Sequence, residues 1–295
     1  MLEVWQKIAE IWKTIDQMNL TPFQGYVHKA IKEGLDFKME EMRNFPNKVR
    51  GYSVYETYMT QLKNYKKVND IFSDLRDDSM KQKHWKELMQ KLQIKIKFND
   101  LTLGDLWNAD LLGRNKIVSD VLTQARGEAI LETFINNIKE CWTTRELELT
   151  RYQTKCHLIK GWDDLFALVD EHMNAINGMK MSPYYKVFEK DIEPWSKNLE
   201  QIRLIFDQWI DVQRRYVYLE GIFFGSADIK NMLNAEYTKF KNIDTDFVRL
   251  MKTVHKQPLV LKVLDIQNIE KNLSGFSNSL QMIQKALGEY LEKQR

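Results

Sequence analysis

Residues that break or crosslink a chain are scarce in this sequence. Two cysteines, Cys141 and Cys156, are too few for a disulfide framework and favour a reducing compartment. Only 12 glycines and 5 prolines are spread over 295 residues, so breaks are few and the elements between them should be long. This scarcity disfavours a β-sandwich or barrel, which needs many turns, and favours helices.

The sequence also lacks an excess of either charge and lacks long apolar runs. The 44 basic and 41 acidic residues leave a formal net charge of +3. Such a near-balance gives no reason to expect a nucleic-acid partner or an anionic membrane partner. No run of about 18 uncharged apolar residues is present, and residues 2–20 have helical spacing rather than the pattern of a signal peptide. We therefore expect a soluble, cytoplasmic chain.

Helical periodicity recurs along the whole chain. Apolar side chains at helical spacing predict one long helix over residues 116–152 and another over residues 183–220, where Pro194 should kink or divide the helix. The second helix, if continuous, would be roughly 50–60 Å long, which favours an elongated shape. We predict breaks at Gly161 and at residues 221–226. The expected fold class is all-α.

One segment has a different period. Leu92, Ile94, Ile96 and Phe98 alternate with polar residues, as the residues of a strand do, yet the sequence shows no obvious partner strand. We interpret residues 92–98 as an extended connector, with a small two-stranded patch as the alternative.

The motifs of common catalytic and metal sites are missing. Residues 221–225 come nearest to a nucleotide-binding P-loop, but they lack its lysine and follow a helix. Cys156 and His157 are neighbours without a second ligand pair at zinc-finger spacing. Helix capping explains the paired carboxylates, which are Asp77-Asp78, Asp163-Asp164 and Asp244/Asp246. We therefore predict no catalytic, cofactor-binding or metal-binding residue.

The most specific pattern is WIDVQRRYVYLEGIF in residues 209–223. It resembles the W-x3-Q-x2-W-x-YLE-x-IF signature of the dynein heavy-chain linker, and no generic helix demands this order of aromatic and polar residues. The signature residues in this chain are Trp209, Gln213, Tyr216, Leu219 and Glu220. Tyr216 stands where the family usually has tryptophan, which keeps an aromatic ring at that position.

Further motifs of the same family follow in order along nearly the whole chain. They are Trp85 in the HW-x2-LM element of residues 84–89, Trp142 at the end of the A-x2-E-x3-E helix of residues 125–142, Trp195 at the end of the SPY…F…W segment of residues 182–195, and the QK-x-L-x2-YLE ending of residues 284–292. Residues 161–164 and 225–230 are similar to cytoplasmic rather than axonemal members of the family.

The resemblance implies a fold and a function. The fold would be an elongated, curved rod of consecutive helical bundles that arches over a ring of AAA+ modules. Residues 1–160 would form the N-terminal half of this linker and residues 161–295 the C-terminal half, which leads into the ring. The linker of this family bends when ATP is bound and straightens after hydrolysis, which drives minus-end-directed movement on microtubules. ATP and Mg would be bound by the ring of the parent chain, with no cofactor in this segment.

The resemblance also implies partners. They are the AAA+ ring of the same heavy chain, the cargo-binding tail on the N-terminal side, a second heavy chain with intermediate and light chains, and a microtubule bound through the parent chain. No nucleic acid or membrane is expected, and the location would be cytoplasmic and cytoskeletal. We place a hinge at Gly161, where a long helix meets a new helix start. A generic scaffold or tethering rod is the alternative, which explains the periodicity but not the ordered signatures.

Overall fold

The computed structural model describes residues 2–293, and helices dominate this part of the chain. In chain order the helices are α1 (Leu2–Asn19), α2 (His28–Arg43), α3 (Asn47–Arg50), α4 (Ser53–Leu75), α5 (Gln82–Lys91), α6 (Leu103–Trp107), α7 (Asn115–Thr144), α8 (Trp162–Lys180), α9 (Tyr185–Gly225), α10 (Ala227–Met232), α11 (Asn234–Lys256), α12 (Val260–Leu264) and α13 (Ile269–Lys293). Within the described residues the only sheet is a hairpin of β1 (Leu149–Tyr152) and β2 (Cys156–Ile159). The predicted all-α class is confirmed, and the rod shape stays a prediction.

The chain forms two compact units, residues 1–130 and residues 131–295, and the division falls inside α7. It lies earlier than the expected division between residues 160 and 161. The reason is that the hairpin packs on α11 and is hydrogen-bonded to α9, which places residues 145–160 in the second unit. The assignment of two linker halves stays a prediction.

The core of the first unit forms between the apolar faces of amphipathic helices that pack against each other. α2 packs along α4, and α1 packs on α6. The buried face of α2 carries apolar residues at three- and four-residue spacing, Leu35 and Met39 among them. Thr102 caps α6, because its side chain accepts a hydrogen bond from the backbone N–H of Asp105. Residues 92–98 connect α5 to α6 without a strand, but they are not extended throughout: residues 92 and 93 form a turn, the chain bends at Ile96, and Phe98 begins a 3-10 helix.

Helix α9, of 41 residues, organises the second unit. α8 and α13 pack along it, and α11 packs on α13 and β2. The helix passes through Pro194 without division and continues past Gly221 to Gly225, so the predicted break comes only at Ser226. A proline inside a helix costs about 3 kcal/mol or more. Burial of Ile192 before it and of Phe223 at the far end offsets that cost.

The predicted helix over residues 116–152 is wrong at its end, because α7 stops at Thr144. The next residues pair with a distant segment instead: Leu147 N–H donates to the carbonyl of Pro258 at 2.8 Å, and Val260 N–H donates to the carbonyl of Arg145 at 2.9 Å. β1 and β2 then pair antiparallel, with Tyr152 opposite Cys156. Pairing with distant residues therefore decides the structure of residues 145–152, although their side chains have helical spacing.

Across residues 2–293 no helix combines the length and the apolar character needed to cross a bilayer.

Candidate functional site

The signature residues of α9 lie on its buried faces. Trp209, Gln213, Tyr216 and Glu220 follow one another at three- and four-residue spacing, which places them on one side of the helix, and Leu219 is fully buried beside them. This side meets the hairpin and α11. We call the polar contacts made there the hairpin seam, defined by Tyr152, Gln153, Lys155, the backbone of Ile159, Gln213, Tyr216, Glu220 and Asp244.

Gln213 joins α9 to the open edge of β2. Its Nε2 donates to the carbonyl of Ile159 at 2.8 Å, and its Oε1 accepts from the backbone N–H of Ile159 at 3.0 Å. Both groups are buried, so water cannot replace either bond. The glutamine amide thus takes the place of a neighbouring strand and covers an edge that would otherwise carry unpaired backbone groups.

Glu220 is a buried carboxylate that receives three hydrogen bonds from the hairpin. Tyr152 Oη donates to Oε2 at 2.9 Å, Gln153 Nε2 donates to Oε2 at 3.3 Å, and Lys155 Nζ donates to Oε1 at 2.6 Å. Only 3% of the residue is exposed. A carboxylate at such a position is tolerated because its charge is paired and its oxygens are hydrogen-bonded.

Asp244 on α11 completes the seam. Tyr216 Oη donates to its Oδ1 at 2.5 Å, and Lys155 Nζ lies 3.6 Å from the same oxygen. The ammonium group of Lys155 also lies 4.1 Å from the ring centroid of Phe224. The prediction that Asp244 caps a helix is wrong, because the residue lies in the interior of α11. Asp163 and Asp164 lie in the first turn of α8, where negative charge is favourable, but no side chain caps this helix through a hydrogen bond.

The contacts of the seam shift the pKa values of its members. Burial alone would raise the pKa of Glu220, but hydrogen bonds from Lys155 and Tyr152 outweigh burial and hold it below the ordinary value. Burial would lower the pKa of Lys155, yet Glu220 and Asp244 raise it. Burial and the neighbouring carboxylate raise the pKa of Tyr152 to about 12. At neutral pH the seam therefore holds a charged lysine between two carboxylates.

The predicted tryptophans lie in the two cores. Trp142 is fully buried in the second unit, and its Nε1–H donates to His172 Nδ1 at 2.8 Å. Burial lowers the pKa of His172, which keeps the ring neutral so that it can accept this bond. Trp209 is fully buried and stacks on Phe206 with ring centroids 5.8 Å apart, and Trp195 is half-buried against the same core.

In the first unit, two of the quoted motifs meet. Trp85 packs edge-on against Phe23, and beside it the Nε2 of His84 lies 3.0 Å from Glu128 Oε2. The backbone N–H of Lys81 donates to His84 Nδ1, so the proton of the ring is on Nε2 and points at Glu128. Burial would raise the pKa of Glu128, but bonds from Lys83 and His84 keep it below the ordinary value.

Gly161 has a left-handed backbone, with φ of 65°, and precedes α8. It is the only glycine of the described residues with a positive φ, which explains why the sequence has glycine there. A Cβ at this position would lie 2.9 Å from the carboxylate of Glu148, which is the flexible end of a side chain. β2 before Gly161 contacts α9 and α11, and α8 after it packs on α9.

Comparison with known proteins identifies the family of this chain. The family model described as dynein heavy chain, N-terminal region 2, matches residues 1–295. The chain belongs to the dynein heavy-chain family. Cytoplasmic dynein heavy chains of Paramecium tetraurelia, Dictyostelium discoideum and Caenorhabditis elegans are similar to it, with 46%, 44% and 40% identity over 293, 292 and 295 residues. The alignments cover 99%, 99% and 100% of this chain, and it spans 6% of the length of each of these dynein heavy chains.

The dynein motif identifies Gln213, Tyr216 and Glu220 but not their partners. Tyr152, Lys155 and Asp244 could not be found from local patterns, because they lie on other elements. One signal was present in the sequence: Glu220 is a charged residue on the apolar stripe of a predicted helix, and a buried carboxylate requires a partner. No group of three or more histidine, cysteine or acidic residues suited to a metal occurs among the described residues.

Replacing Gln213 with leucine should destabilise the second unit. The change leaves the N–H and the carbonyl of Ile159 buried without partners. We expect the free energy of unfolding in urea to fall by about 2–4 kcal/mol. Gln208→Leu on the same helix is the matched control and should change it by less than about 1 kcal/mol. Equal stability of Gln213→Leu and wild type would show that the amide bonds do not hold the hairpin.

Acid should weaken the seam through Glu220. Because its pKa in the folded chain lies below the ordinary value of 4.5, the stabilisation is present above that value and is lost as the pH falls through the folded pKa. Glu220→Gln should therefore be less stable than wild type at pH 7 and should lose less stability than wild type between about pH 5 and pH 3. Urea unfolding at each pH measures both effects.

Asp211→Asn serves as the control for this titration. Asp211 lies on the same helix, and its half-exposed carboxylate pairs with Arg215 at 2.8 Å. This substitution should leave the pH dependence close to that of wild type, because exposed pairs contribute little. Parallel pH curves for wild type and Glu220→Gln would contradict the role given to Glu220.

Proposed function

We propose that this chain is the mechanical linker of a cytoplasmic dynein motor. It would bend and straighten across the AAA+ ring of the parent heavy chain and so convert ATP hydrolysis into minus-end-directed movement on microtubules. Membership of the dynein heavy-chain family supports the proposal, and the hairpin seam is the observation in the molecule that carries it. The signature residues hold elements together instead of lining a cavity.

A lever needs parts that do not deform under load. Gln213 and Glu220 connect α9 to the hairpin through buried bonds, and Asp244 extends the connection to α11. A buried ion pair that loses one partner leaves an uncompensated charge, so partial separation of these elements is unfavourable. This network makes the second unit suitable for transmitting force.

ATP and Mg would be bound by the ring, outside residues 1–295, and the linker would take one of two docking positions on it. Moving such an equilibrium from 1:99 to 99:1 takes about 5.5 kcal/mol of differential contact energy. Several modest, exposed contacts can supply that energy and still release. The cargo-binding tail, intermediate and light chains, and the microtubule would be partners of the parent motor.

The distance between the linker and the ring should change with nucleotide. In a full-length motor, one fluorophore would be attached at Gln6 on α1, which is exposed, and the other on the ring. We expect energy transfer between them to differ between the ATP-bound and the nucleotide-free motor. The dyes would be introduced through non-natural amino acids, which leaves Cys141 and Cys156 unchanged.

The same motor distinguishes a lever from a passive rod. A motor labelled on two ring modules reports whether the ring itself changes shape and serves as the control. Constant energy transfer at Gln6, in a motor that still hydrolyses ATP, would mean that this segment is a scaffold or tethering rod.

We further propose Gly161 as the hinge of the linker. Alanine strains the left-handed backbone there, and the expected loss of stability is roughly 1–2 kcal/mol. Gly161→Ala should reduce the nucleotide-dependent change in energy transfer and slow movement on microtubules. Gly178→Ala in α8, where a Cβ meets no atom within 4 Å, is the matched control. Unchanged bending, stepping and ATPase rate in Gly161→Ala would place the hinge elsewhere.

A further inference from the structure

Strand β1 has one edge paired with β2 and one edge that the hairpin leaves open. Just before the strand, the carbonyl of Glu148 accepts a hydrogen bond of 2.9 Å from the residue opposite it on the β2 side. In an antiparallel pair such bonded positions recur at every second residue, so Thr150 and Tyr152 turn their backbone groups toward β2. The N–H and carbonyl groups of Leu149 and Arg151 therefore point away from the hairpin.

The segment that follows α11 pairs with this same edge immediately before β1. There Leu147 N–H donates to the carbonyl of Pro258, and the carbonyl of Arg145 accepts from Val260 N–H. Both bonds use odd-numbered residues, the set whose backbone groups point outward in β1. The pairing goes no further, because α11 ends only at Lys256. The protein itself thus begins a third strand position beside the hairpin and does not continue it.

Along the rest of the edge the backbone groups are unpaired. Within residues 2–293, the N–H and carbonyl groups of Leu149 and Arg151 form no hydrogen bond with another residue. Leu149 is half-buried and Arg151 is exposed. On the outer edge of β2, by contrast, the Gln213 amide occupies the outward groups of Ile159. An open strand edge is a template on which another chain can pair.

We propose that the open edge of β1 is a docking site for an extended segment of a partner protein. The segment would continue the strand position that Pro258 and Val260 begin, and would extend the hairpin to three strands. It would run antiparallel to β1, as the residues around Leu259 do beside Glu146. The proposal does not depend on the function proposed for the chain.

The side chains beside the edge determine the chemistry of the segment. Leu149 and Arg151 lie on one face of β1, because side chains alternate along a strand. Arg151 forms no ion pair with a carboxylate of residues 2–293, and its Nε donates to the carbonyl of Gln153. A carboxylate opposite Arg151 would pair with its charge, and an apolar residue opposite Leu149 would cover that side chain. In the antiparallel direction the segment therefore reads acidic residue, any residue, apolar residue.

A second copy of this chain fits the edge less well than such a segment. Two β1 strands paired about a two-fold axis would place Leu149 of each copy opposite Arg151 of the other. The two guanidinium groups would then lie at diagonal positions on one face, within reach of each other and without a carboxylate between them. Like charges at such positions repel, so the edge favours an acidic partner.

A short peptide tests the site. The probe is fluorescein-labelled TTETVTT, titrated with the 295-residue chain and followed by fluorescence anisotropy. We expect saturable binding that weakens with added salt. Arg151→Glu should raise the Kd about fivefold or more, because an attraction becomes a repulsion.

Lys285→Glu is the matched control for this variant. Lys285 is exposed on α13, and its replacement changes the charge by the same amount. This variant should change the Kd less than about twofold, since a distant exposed charge is screened by salt. Equal loss of binding in both variants would mean that the probe responds only to net charge, and would overturn the site.

N-methylated probes test the backbone pairing and its register. Methylation at the glutamate and valine nitrogens removes the two N–H groups that would face β1. Methylation at the threonine after each of them removes N–H groups that would face away, with the same added mass and the same charge. The first probe should bind at least about tenfold more weakly than the second. Equal affinities would overturn the strand pairing.

Amide hydrogen exchange of the chain gives an independent readout. Bound probe should slow exchange at Leu149 and Arg151, whose amides are open, and should change exchange little at Thr150, whose amide already faces β2. Binding without this alternation would overturn the site. A dimer of the chain alone, detected by sedimentation, that protects the same two amides would overturn the partner segment and assign the edge to a second copy.

Discussion

A buried carboxylate must be paired with a positive charge, and Glu220 of α9 is such a carboxylate. The elements of the second unit that surround it must therefore bring a positive group to it. Lys155 and Tyr152 reach it from the hairpin, so the hairpin has one acceptable register against α9. Because side chains alternate along a strand, a slip of one residue would turn Tyr152 of β1 away from the carboxylate and would displace Lys155 of the hairpin turn. The buried charge of Glu220 is thus one of the constraints that set the position of the hairpin.

Gln213 fixes the same hairpin by a different kind of bond. It uses a neutral amide and pairs with the backbone of Ile159, so its contribution does not vary with pH in the way that of Glu220 does. The two residues lie two turns apart on one side of α9. Together they hold both ends of a short strand that, as part of a two-stranded hairpin, would be marginal by itself.

The sequence predicts helices where the apolar spacing is local, and α7 begins within a residue and α9 within two residues of the starts expected at residues 116 and 183. It fails where a distant pairing decides the outcome. Residues 145–152 carry a helical period, but the segment around Pro258 supplies backbone partners that no local pattern reveals. At Pro194 the predicted division does not occur, because tertiary packing of α9 outweighs a local penalty, and the kink stays a prediction.

The residues of the candidate site also divide into those that the sequence identifies and those that only the fold reveals. The signature gives Gln213 and Glu220 as special, yet only the fold shows that Lys155 pairs with Glu220 and that Asp244 is a half-buried partner rather than a cap. A buried ion network adds less to stability than an apolar core of equal volume, but it permits fewer alternative arrangements. For the proposed lever that difference would matter, because a body that can be held in several packings absorbs work internally, whereas one with a single packing passes it on.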